Sequence, residues 1–196
     1  MVTIGITGGI GSGKSYVVKK LEQRGIACYN CDYHAKQLNN TDTDIINALT
    51  HRYGKQAYIN GELNRPFIAQ KIFTNKTELQ WMNNLVHPKV QQHFMLWQKQ
   101  QKSEIVAIES AILFNGNLYS YCNKVIVVDA PLKTRIKRVV ERDNTTPEQV
   151  EQRIKNQTDT TTMLSMADYV IFNDEKHNID EQIDFILQEI MNNGNI

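Results

Sequence analysis

The 196-residue chain lacks an excess of either charge, a long apolar run and any internal repeat. Its 22 basic and 21 acidic residues leave a net charge of +1, which argues against a general binder of nucleic acids or membrane surfaces. No apolar run approaches the roughly 20 residues that a membrane span needs. The first predicted strand begins at residue 2, which leaves no room for a signal peptide, so we expect a cytoplasmic protein.

Cysteine is scarce and odd in number, with three residues in the chain. Cys28 and Cys31 form a C-x-x-C pair, His34 follows at the same spacing, and Cys122 could complete four zinc ligands. However, Cys28 lies in a predicted strand, where residues three apart point to opposite faces. Cysteines in a cytosolic chain are also usually reduced. We therefore expect ordinary packing rather than a metal or redox role.

A glycine-rich segment, GGIGSGKS at residues 8–15, is the strongest functional signal. It fits the phosphate-loop pattern G-x-x-x-x-G-K-[ST], with Gly8, Gly13, Lys14 and Ser15 at the fixed positions. Glycines let backbone N–H groups point at phosphate oxygens, the lysine charge lies near the β- and γ-phosphates, and the serine hydroxyl can reach Mg²⁺. A β-rich run precedes the segment and an amphipathic helix follows it, which is the context that the pattern requires.

Strands and helices are predicted to alternate along the chain. Strands are expected at residues 2–7, 25–30, 104–109, 124–129 and 167–171, which indicates a parallel sheet with helices on both faces. The insert between the second and third strands, residues 33–103, is predicted to be helical and to form a separate lobe. A helix in it is expected to be interrupted or kinked near His87-Pro88. Ligands bind at the carboxyl ends of such strands, so we expect the phosphate loop, Asp32 and Glu109 to meet there.

Capping residues mark several helix starts. Asn64, Thr146 and Asn178 each precede a predicted helix, and Asp32 stands at the start of another.

A phosphate loop alone does not distinguish a switch GTPase, a motor ATPase and a small-molecule kinase. The guanine-specificity pattern N-K-x-D is incomplete, because residues 123–126 are NKVI, and no D-x-x-G precedes them. A motor or DNA-handling ATPase is usually longer and carries a strand ending in Asp-Glu, to which the nearest feature is Glu109. The short chain and the helical insert favour a nucleotide or metabolite kinase.

Arginines follow the fourth predicted strand. Arg138 and Arg142 lie four residues apart and share one helix face, and a later helix is predicted to carry Arg153 and Gln157. An arginine-bearing helical hairpin can close over ATP, exclude water and stabilise the transferred phosphoryl group. The alternative is a solvated basic face paired with neighbouring acidic residues. We favour the lid role for Arg142 and Arg138 and leave Arg153 open.

These segments together resemble the dephospho-coenzyme A kinase family along nearly the whole chain. Residues 6–15, ITGGIGSGKS, match the family's T-G-G-I-G-S-G-K-S almost letter for letter. The other matches are N-C-D at 30–32 for D-A-D, L-N-R at 63–65 with I-F at 72–73 for L-x-R…I-F, L-V-H-P at 85–88 for L-x-H-P, R-V-V-E-R-D at 138–143 for R-x-x-x-R-D, and D-Y-V-I-F-N at 168–173 for D-x-V-I-x-N.

The resemblance implies an enzyme that uses ATP and Mg²⁺ to phosphorylate the ribose 3′-hydroxyl of dephospho-coenzyme A, the last step of coenzyme A synthesis. It implies a P-loop NTPase fold with a five-stranded, mainly parallel sheet. The expected parts are a core (1–32, 103–138 and 166–196), a helical substrate-binding insert (about 33–102) and a helical lid (about 139–165). The family's proposed base falls on Asp32, whose carboxylate can accept the hydroxyl proton. A helix N-cap role for Asp32 is the compatible alternative.

The candidate site residues follow from the loop, the lid and the resemblance. Catalysis is assigned to Asp32, Lys14 and Arg142; ATP binding to Gly9, Gly11, Ser12, Gly13, Lys14, Ser15, Tyr16, Arg138 and Arg142; substrate binding to Thr7, Asp32, Arg65 and His87; and Mg²⁺ binding to Ser15. Arg65 could equally face solvent in a first helical turn. A lone histidine before proline, such as His87, is more often a structural hydrogen bonder.

Three positions depart from the family pattern. Asn30 replaces the first Asp of D-A-D and so cannot be an ionised metal ligand or base there. Tyr16 replaces the usual threonine after the loop serine, which concerns packing on the nucleotide side. Residues 109–115 differ from the family's Pro-Leu-Leu run, although Glu109 or Ser110 could still hold water around Mg²⁺.

Two other functions remain open from the sequence: another nucleotide or metabolite kinase of the same layout, and a nucleotide-binding switch protein. A panel of acceptor substrates would distinguish another kinase from a dephospho-coenzyme A kinase. Slow turnover that requires a protein partner would indicate a switch protein. We expect a small-molecule substrate, no nucleic-acid or membrane partner, and a monomer or weak homo-oligomer.

Overall fold

The elements of the fold follow the predicted alternation of strands and helices. The computed structural model describes residues 1–73, 75–115 and 117–193. The strands are β1 (Val2–Thr7), β2 (Ala27–Asn30), β3 (Tyr58–Ile59), β4 (Glu62–Leu63), β5 (Ile105–Glu109), β6 (Lys124–Asp129) and β7 (Tyr169–Phe172). The helices are α1 (Lys14–Gln23), α2 (Cys31–Thr41), α3 (Thr43–Tyr53), α4 (Arg65–Phe73), α5 (Lys76–Lys99), α6 (Leu132–Asp143), α7 (Pro147–Lys155), α8 (Thr160–Ser165) and α9 (Ile179–Asn193). Residues 194–196 of the predicted core segment lie outside the described residues.

Within the described residues, five strands form one sheet in the order β2-β5-β1-β6-β7. The central strand β1 pairs in parallel with β5 and with β6, so that Ile4 lies opposite Ala107 on one side and Lys124 on the other. Strand β7 extends the sheet by pairing in parallel with β6. The predicted mainly parallel, five-stranded sheet is therefore confirmed.

The chain divides into two compact units. The first contains Met1–Tyr29 and Gln101–Ile196, and the second contains Asn30–Gln100. In the first unit, apolar side chains of β1, β6, α1 and α9 form a continuous core that includes Ile4, Leu21, Ile126 and Ile183. Each fully buried side chain of this size contributes about 1.5–3 kcal/mol, and this core fixes the position of the turn between β1 and α1.

The second unit consists of α2 to α5 and the short β3–β4 hairpin. Helix α5 buries Met82, Val86, Val90 and Phe94, which recur every four residues along one face. Of the interruption or kink expected near Pro88, the interruption is absent, because α5 is continuous from Lys76 to Lys99. A proline inside a helix costs about 3 kcal/mol through one lost hydrogen bond and a steric clash. Burial of the apolar face on both sides of Pro88 outweighs that cost.

Helix α2 begins one residue earlier than the sequence suggested. Asn30 is its cap, since the Asn30 Oδ1 accepts a hydrogen bond from the Tyr33 N–H at 2.7 Å. Asp32 lies in the first turn as the second helical residue, so the cap and the candidate catalytic carboxylate are different side chains. Asparagine caps helices as well as aspartate does.

The other predicted caps are confirmed. The side-chain oxygens of Asn64, Thr146 and Asn178 accept hydrogen bonds from the N–H groups of Phe67, Gln149 and Asp180, respectively.

Cys28 and Cys122 are half-buried thiols, and burial raises the pKa of each to about 12. Cys31 is buried at the start of α2. Among the described residues, no three His, Cys, Asp or Glu side chains are arranged to hold a metal ion. No helix in the described ranges is both long and apolar enough to cross a membrane.

Candidate active site

The turn between β1 and α1 has the conformation of an anion-binding loop. Gly8, Gly11 and Gly13 have φ angles of 149°, 77° and 97°, which side-chain-bearing residues rarely adopt. Within the described part of the chain, no side chain caps α1, which begins at Lys14. The first N–H groups of α1 therefore lie at a helix N-terminus, where the helix dipole attracts anions.

Neighbouring groups leave no room for side chains on three of the loop glycines. A Cβ at Gly9 would lie 2.0 Å from Arg135 Nη2, and a Cβ at Gly11 would lie 2.4 Å from the Arg135 carbonyl oxygen. A Cβ at Gly13 would lie 1.9 Å from Asn173 Nδ2. The loop is thus packed against α6 and against the residue that follows β7.

We expect Gly13→Ala to lower the free energy of unfolding by about 3 kcal/mol, because a left-handed backbone costs about 1–2 kcal/mol and the clash with Asn173 adds to it. Gly25→Ala is the matched control: Gly25 has a φ of 78°, but a Cβ there would meet nothing within 4 Å. That variant should therefore show the backbone cost alone. Urea unfolding measures both, and equal losses would contradict the role assigned to Asn173.

Lys14 folds back over the loop. Its Nζ donates to the carbonyl oxygens of Gly8 at 2.8 Å and Gly9 at 3.2 Å. Thr7 Oγ1 and Ser12 Oγ are fully buried and have no hydrogen-bond partner within the described ranges. Buried hydroxyls are seldom left without a partner, so both suit oxygen atoms of a ligand or of ordered water.

A cleft of about 450 Å³ adjoins the loop in the first unit. Its lining residues are Gly13, Tyr16, Arg138, Asn173, Glu175, His177 and Ile179. The Asn173 side chain links two sides of this cleft: its Nδ2 donates to the Ser12 carbonyl oxygen at 2.9 Å, and its Oδ1 accepts from Arg138 Nη2 at 3.3 Å. Arg138 Nη1 is buried without a hydrogen-bond partner in the described ranges. The Tyr16 and His177 rings and the Arg138 guanidinium line the same cleft. Such a combination suits a planar heterocycle beside an anion.

Arg142 pairs with a carboxylate at the end of α6. Its Nε and Nη2 donate to the two carboxylate oxygens of Asp143 at 2.7 and 3.2 Å, and Arg153 Nη1 donates to the same carboxylate at 2.7 Å. Hydrogen bonds from Arg142 and then Arg153 lower the pKa of Asp143 to about 2. The Arg142 side chain is 63% exposed, and an exposed ion pair of this kind exchanges readily with another anion.

Two residues that contact the loop were not identified as site residues from the sequence. Arg135 is 4% exposed and donates from Nε to the Ile10 carbonyl oxygen at 3.0 Å. Gln157 Oε1 accepts from the Ile10 N–H at 2.8 Å. Burial lowers the pKa of Arg135, although the charge of Asp129 partly opposes this. The sequence gives no sign of these contacts, because Arg135 is one of several basic residues on α6 and lies 125 positions from Ile10.

Oxygen donors that suit Mg²⁺ lie at the ends of β1 and β5. Glu109 is 7% exposed and lies opposite Ile6 in the β1–β5 pair. Ile6 itself is two residues before the first residue of the loop, Gly8. Ser110 follows Glu109, and Ser15 is in the first turn of α1. Mg²⁺ prefers oxygen ligands and usually needs only one or two protein groups besides phosphates and water. The hydroxyl and carboxylate groups present therefore fit this ion.

The remaining candidates lie on three helices of the second unit. Asp32 is exposed in the first turn of α2, and Arg65 is exposed as the first residue of α4. His87 is inside α5, directly before Pro88, and its burial lowers the pKa of the imidazole. Burial of this kind favours the neutral form of the imidazole.

The second unit also contains a cavity of about 860 Å³, lined by Arg52, Tyr53, Gln56, Phe67, Gln70, Lys71, Asn75 and Glu78. Two of its charged groups, Arg52 and Glu78, pair with each other. Arg52 donates to both carboxylate oxygens of Glu78 at 2.7 and 2.6 Å and stacks over the Trp81 ring at 4.4 Å. The Tyr53 hydroxyl also donates to Glu78.

We expect acid to weaken the second unit through Glu78. Hydrogen bonds from Arg52 and Tyr53 lower the pKa of Glu78 from its ordinary value to about 2. A carboxylate whose pKa is lowered in the folded state stabilises the fold above its unfolded pKa, near 4.5, and that contribution disappears as the pH falls towards 2. The difference in free energy of unfolding between the wild type and Glu78→Gln should therefore shrink from pH 6 to pH 3. Urea titrations followed by tryptophan fluorescence measure it, and a constant difference would contradict this contribution.

The family model and the curated relatives agree on one family. The family model described as dephospho-CoA kinase matches residues 2–178. The chain is similar to the dephospho-CoA kinase of Porphyromonas gingivalis, with 39% identity over 97% of this chain and 95% of that protein. The fold is similar to a crystal structure of a Thermus thermophilus protein, with a TM-score of 0.84 and 26% identity over 97% of this chain and 98% of that one. It is also similar to the dephospho-CoA kinase of Campylobacter jejuni, with a TM-score of 0.69 and 22% identity over 99% of this chain and 98% of that one.

Proposed function

The chain belongs to the dephospho-coenzyme A kinase family, and on that premise we propose that it transfers the γ-phosphoryl group of ATP to the ribose 3′-hydroxyl of dephospho-coenzyme A. The products are coenzyme A and ADP, which makes the reaction the last step of coenzyme A synthesis. The observation that carries the proposal is the loop at residues 8–15, whose backbone, lysine and helix N-terminus suit a triphosphate.

In this proposal the nucleotide binds in the first unit. The N–H groups of residues 11–15 and the Lys14 ammonium hold the phosphates, and the buried Ser12 hydroxyl supplies a further polar contact. The adenine ring occupies the neighbouring cleft, between the Tyr16 and His177 rings. Gly9 and Gly11 contribute by letting the backbone approach the phosphates.

Mg²⁺ would be held by the Ser15 hydroxyl, with Glu109 or Ser110 orienting water around it. The ion, when bound, neutralises charge that develops between the β- and γ-phosphates. The protein's share is to present hydroxyl and carboxylate oxygens at the ends of β1 and β5.

Asp32 is the proposed base. Its carboxylate takes the proton of the ribose 3′-hydroxyl as the new O–P bond forms, and the bond between the γ-phosphorus and the β–γ bridging oxygen breaks to release ADP. Arg142 leaves Asp143 for the phosphate oxygens and, with Arg138, stabilises the charge spread over the transferred group. The candidate contacts to dephospho-coenzyme A are Thr7, Arg65 and His87. The Arg65 guanidinium suits a phosphate group of that substrate.

A coupled assay of ADP release with Mg·ATP, with and without dephospho-coenzyme A, tests the function. We expect release to depend strongly on dephospho-coenzyme A and the product to be one phosphate heavier by mass spectrometry. Equal release without the acceptor would show only ATP hydrolysis. If nucleoside monophosphates or small hydroxyl metabolites were preferred in the same assay, the enzyme would be a related kinase with another substrate.

A further inference from the structure

The backbone of Ile10 is held at both its N–H and its carbonyl oxygen by side chains from distant parts of the chain. Its N–H donates to Gln157 Oε1 at 2.8 Å, and its carbonyl oxygen accepts from Arg135 Nε at 3.0 Å. Ile10 lies in the middle of the phosphate loop, whereas Gln157 lies two residues after the end of α7 and Arg135 lies in the first half of α6.

Arg135 also reaches the start of α8. Its Nη1 donates to Thr160 Oγ1 at 3.3 Å, and Thr160 is the first residue of that helix. The segment 156–160 between α7 and α8 is thus fastened at two points, once directly to the loop and once through Arg135.

The arginine is fixed in this position by packing. It is 4% exposed, its Nη2 occupies the space where a Gly9 side chain would be, and its own carbonyl oxygen closes the space beside Gly11. A buried guanidinium without a carboxylate pair is costly unless its donors are used, and here Nε and Nη1 are both used in joining the loop to α8.

We propose that Gln157 and Arg135 are positioning residues that link the phosphate loop to the lid segment 156–160. The link sets where α7 and α8 lie relative to the loop. It thereby also positions Arg153 on α7, which pairs with Asp143. Asp143 in turn holds Arg142. Neither residue is a catalytic residue. The inference deepens the proposed function, because it concerns the closing of the lid over bound ATP.

Gln157→Met tests the link, since methionine has a similar size but no comparable acceptor. We expect kcat for dephospho-coenzyme A phosphorylation to fall about fivefold, which corresponds to one neutral hydrogen bond. Gln157→Glu keeps an acceptor oxygen, so kcat should be retained, while the added negative charge near the phosphates should raise the KM for Mg·ATP. The control is Gln152→Met, which changes an exposed glutamine on α7 in the same way.

A direct readout comes from the Ile10 amide in ¹⁵N-labelled protein. Its hydrogen exchange should accelerate in Gln157→Met and remain slow in Gln157→Glu and Gln152→Met. Mg·ATP should slow exchange across residues 156–165 in the wild type and much less in Gln157→Met. Unchanged exchange at Ile10, or unchanged kcat despite faster exchange, would overturn the proposal. The exchange measurements need no turnover, so they decide the link even if dephospho-coenzyme A proves not to be the acceptor.

Discussion

Lys14→Met should reduce kcat/KM for Mg·ATP by about a thousandfold. The lysine supplies a full charge next to the triphosphate in the proposed complex. At about 4 Å and an effective dielectric constant near 20, such a charge is worth about 4 kcal/mol towards the transition state, which corresponds to roughly three orders of magnitude in rate. Steady-state kinetics with dephospho-coenzyme A as acceptor provides the measurement.

Lys19→Met is the matched control for this experiment. Lys19 lies on the same helix, α1, but is exposed, whereas Lys14 Nζ contacts the Gly8 and Gly9 carbonyl oxygens. The control variant loses the same charge but leaves the loop contacts untouched, so it should retain wild-type kinetics. Circular dichroism of both variants shows that the fold is intact. If the two variants lost equal activity, general charge rather than the loop position of Lys14 would be responsible.

Asp32→Asn should lower kcat by about a thousandfold while leaving the dissociation constant of Mg·ATP within twofold. General base catalysis contributes about 10²–10⁴ to the rate, and the amide cannot accept the hydroxyl proton. The substitution is nearly isosteric, the side chain is exposed, and Asn30 rather than Asp32 caps α2, so the fold should be unaffected. Turnover is followed by ADP release and nucleotide binding by a fluorescent ATP analogue.

Asp44→Asn isolates the structural part of that substitution. Asp44 is also an exposed aspartate at the second position of a helix, α3, so any loss of favourable interaction with the helix dipole is matched. Its carboxylate also pairs with Lys89, so Asp44→Asn removes an exposed ion pair in addition. It should turn over at the wild-type rate. Near-normal turnover in Asp32→Asn would rule out Asp32 as the base, and a large loss in Asp44→Asn would assign the effect to helix stability.

The residues whose environment is local were the ones that the sequence predicted well. The strand, loop and helix at residues 2–23 depend on neighbours in the chain, and so do the caps Thr146 and Asn178. The parallel sheet followed from the alternation of apolar strands with helices. These features need no knowledge of distant contacts.

Features that depend on distant contacts could not be predicted in this way. Pro88 was expected to interrupt or kink a helix because the rule for proline considers the backbone alone, whereas burial of α5 on both sides of Pro88 keeps the helix continuous. Arg135 looked like any other basic residue of α6, and only the packing of that helix against the loop distinguishes it. The roles of Asp32, Arg65 and His87 remain predictions, which the kinetic experiments address.

The raised thiol pKa values make this protein convenient for site-specific labelling. Maleimides react with the thiolate, and thiols with a pKa near 12, such as those of Cys28 and Cys122, contain almost none of it at neutral pH. Cys31 is 5% exposed and therefore shielded from reagents. A cysteine introduced at an exposed position of α7, as in Gln152→Cys, would then react selectively in an otherwise natural sequence. A dye attached there would test whether the proposed lid closes when Mg·ATP binds.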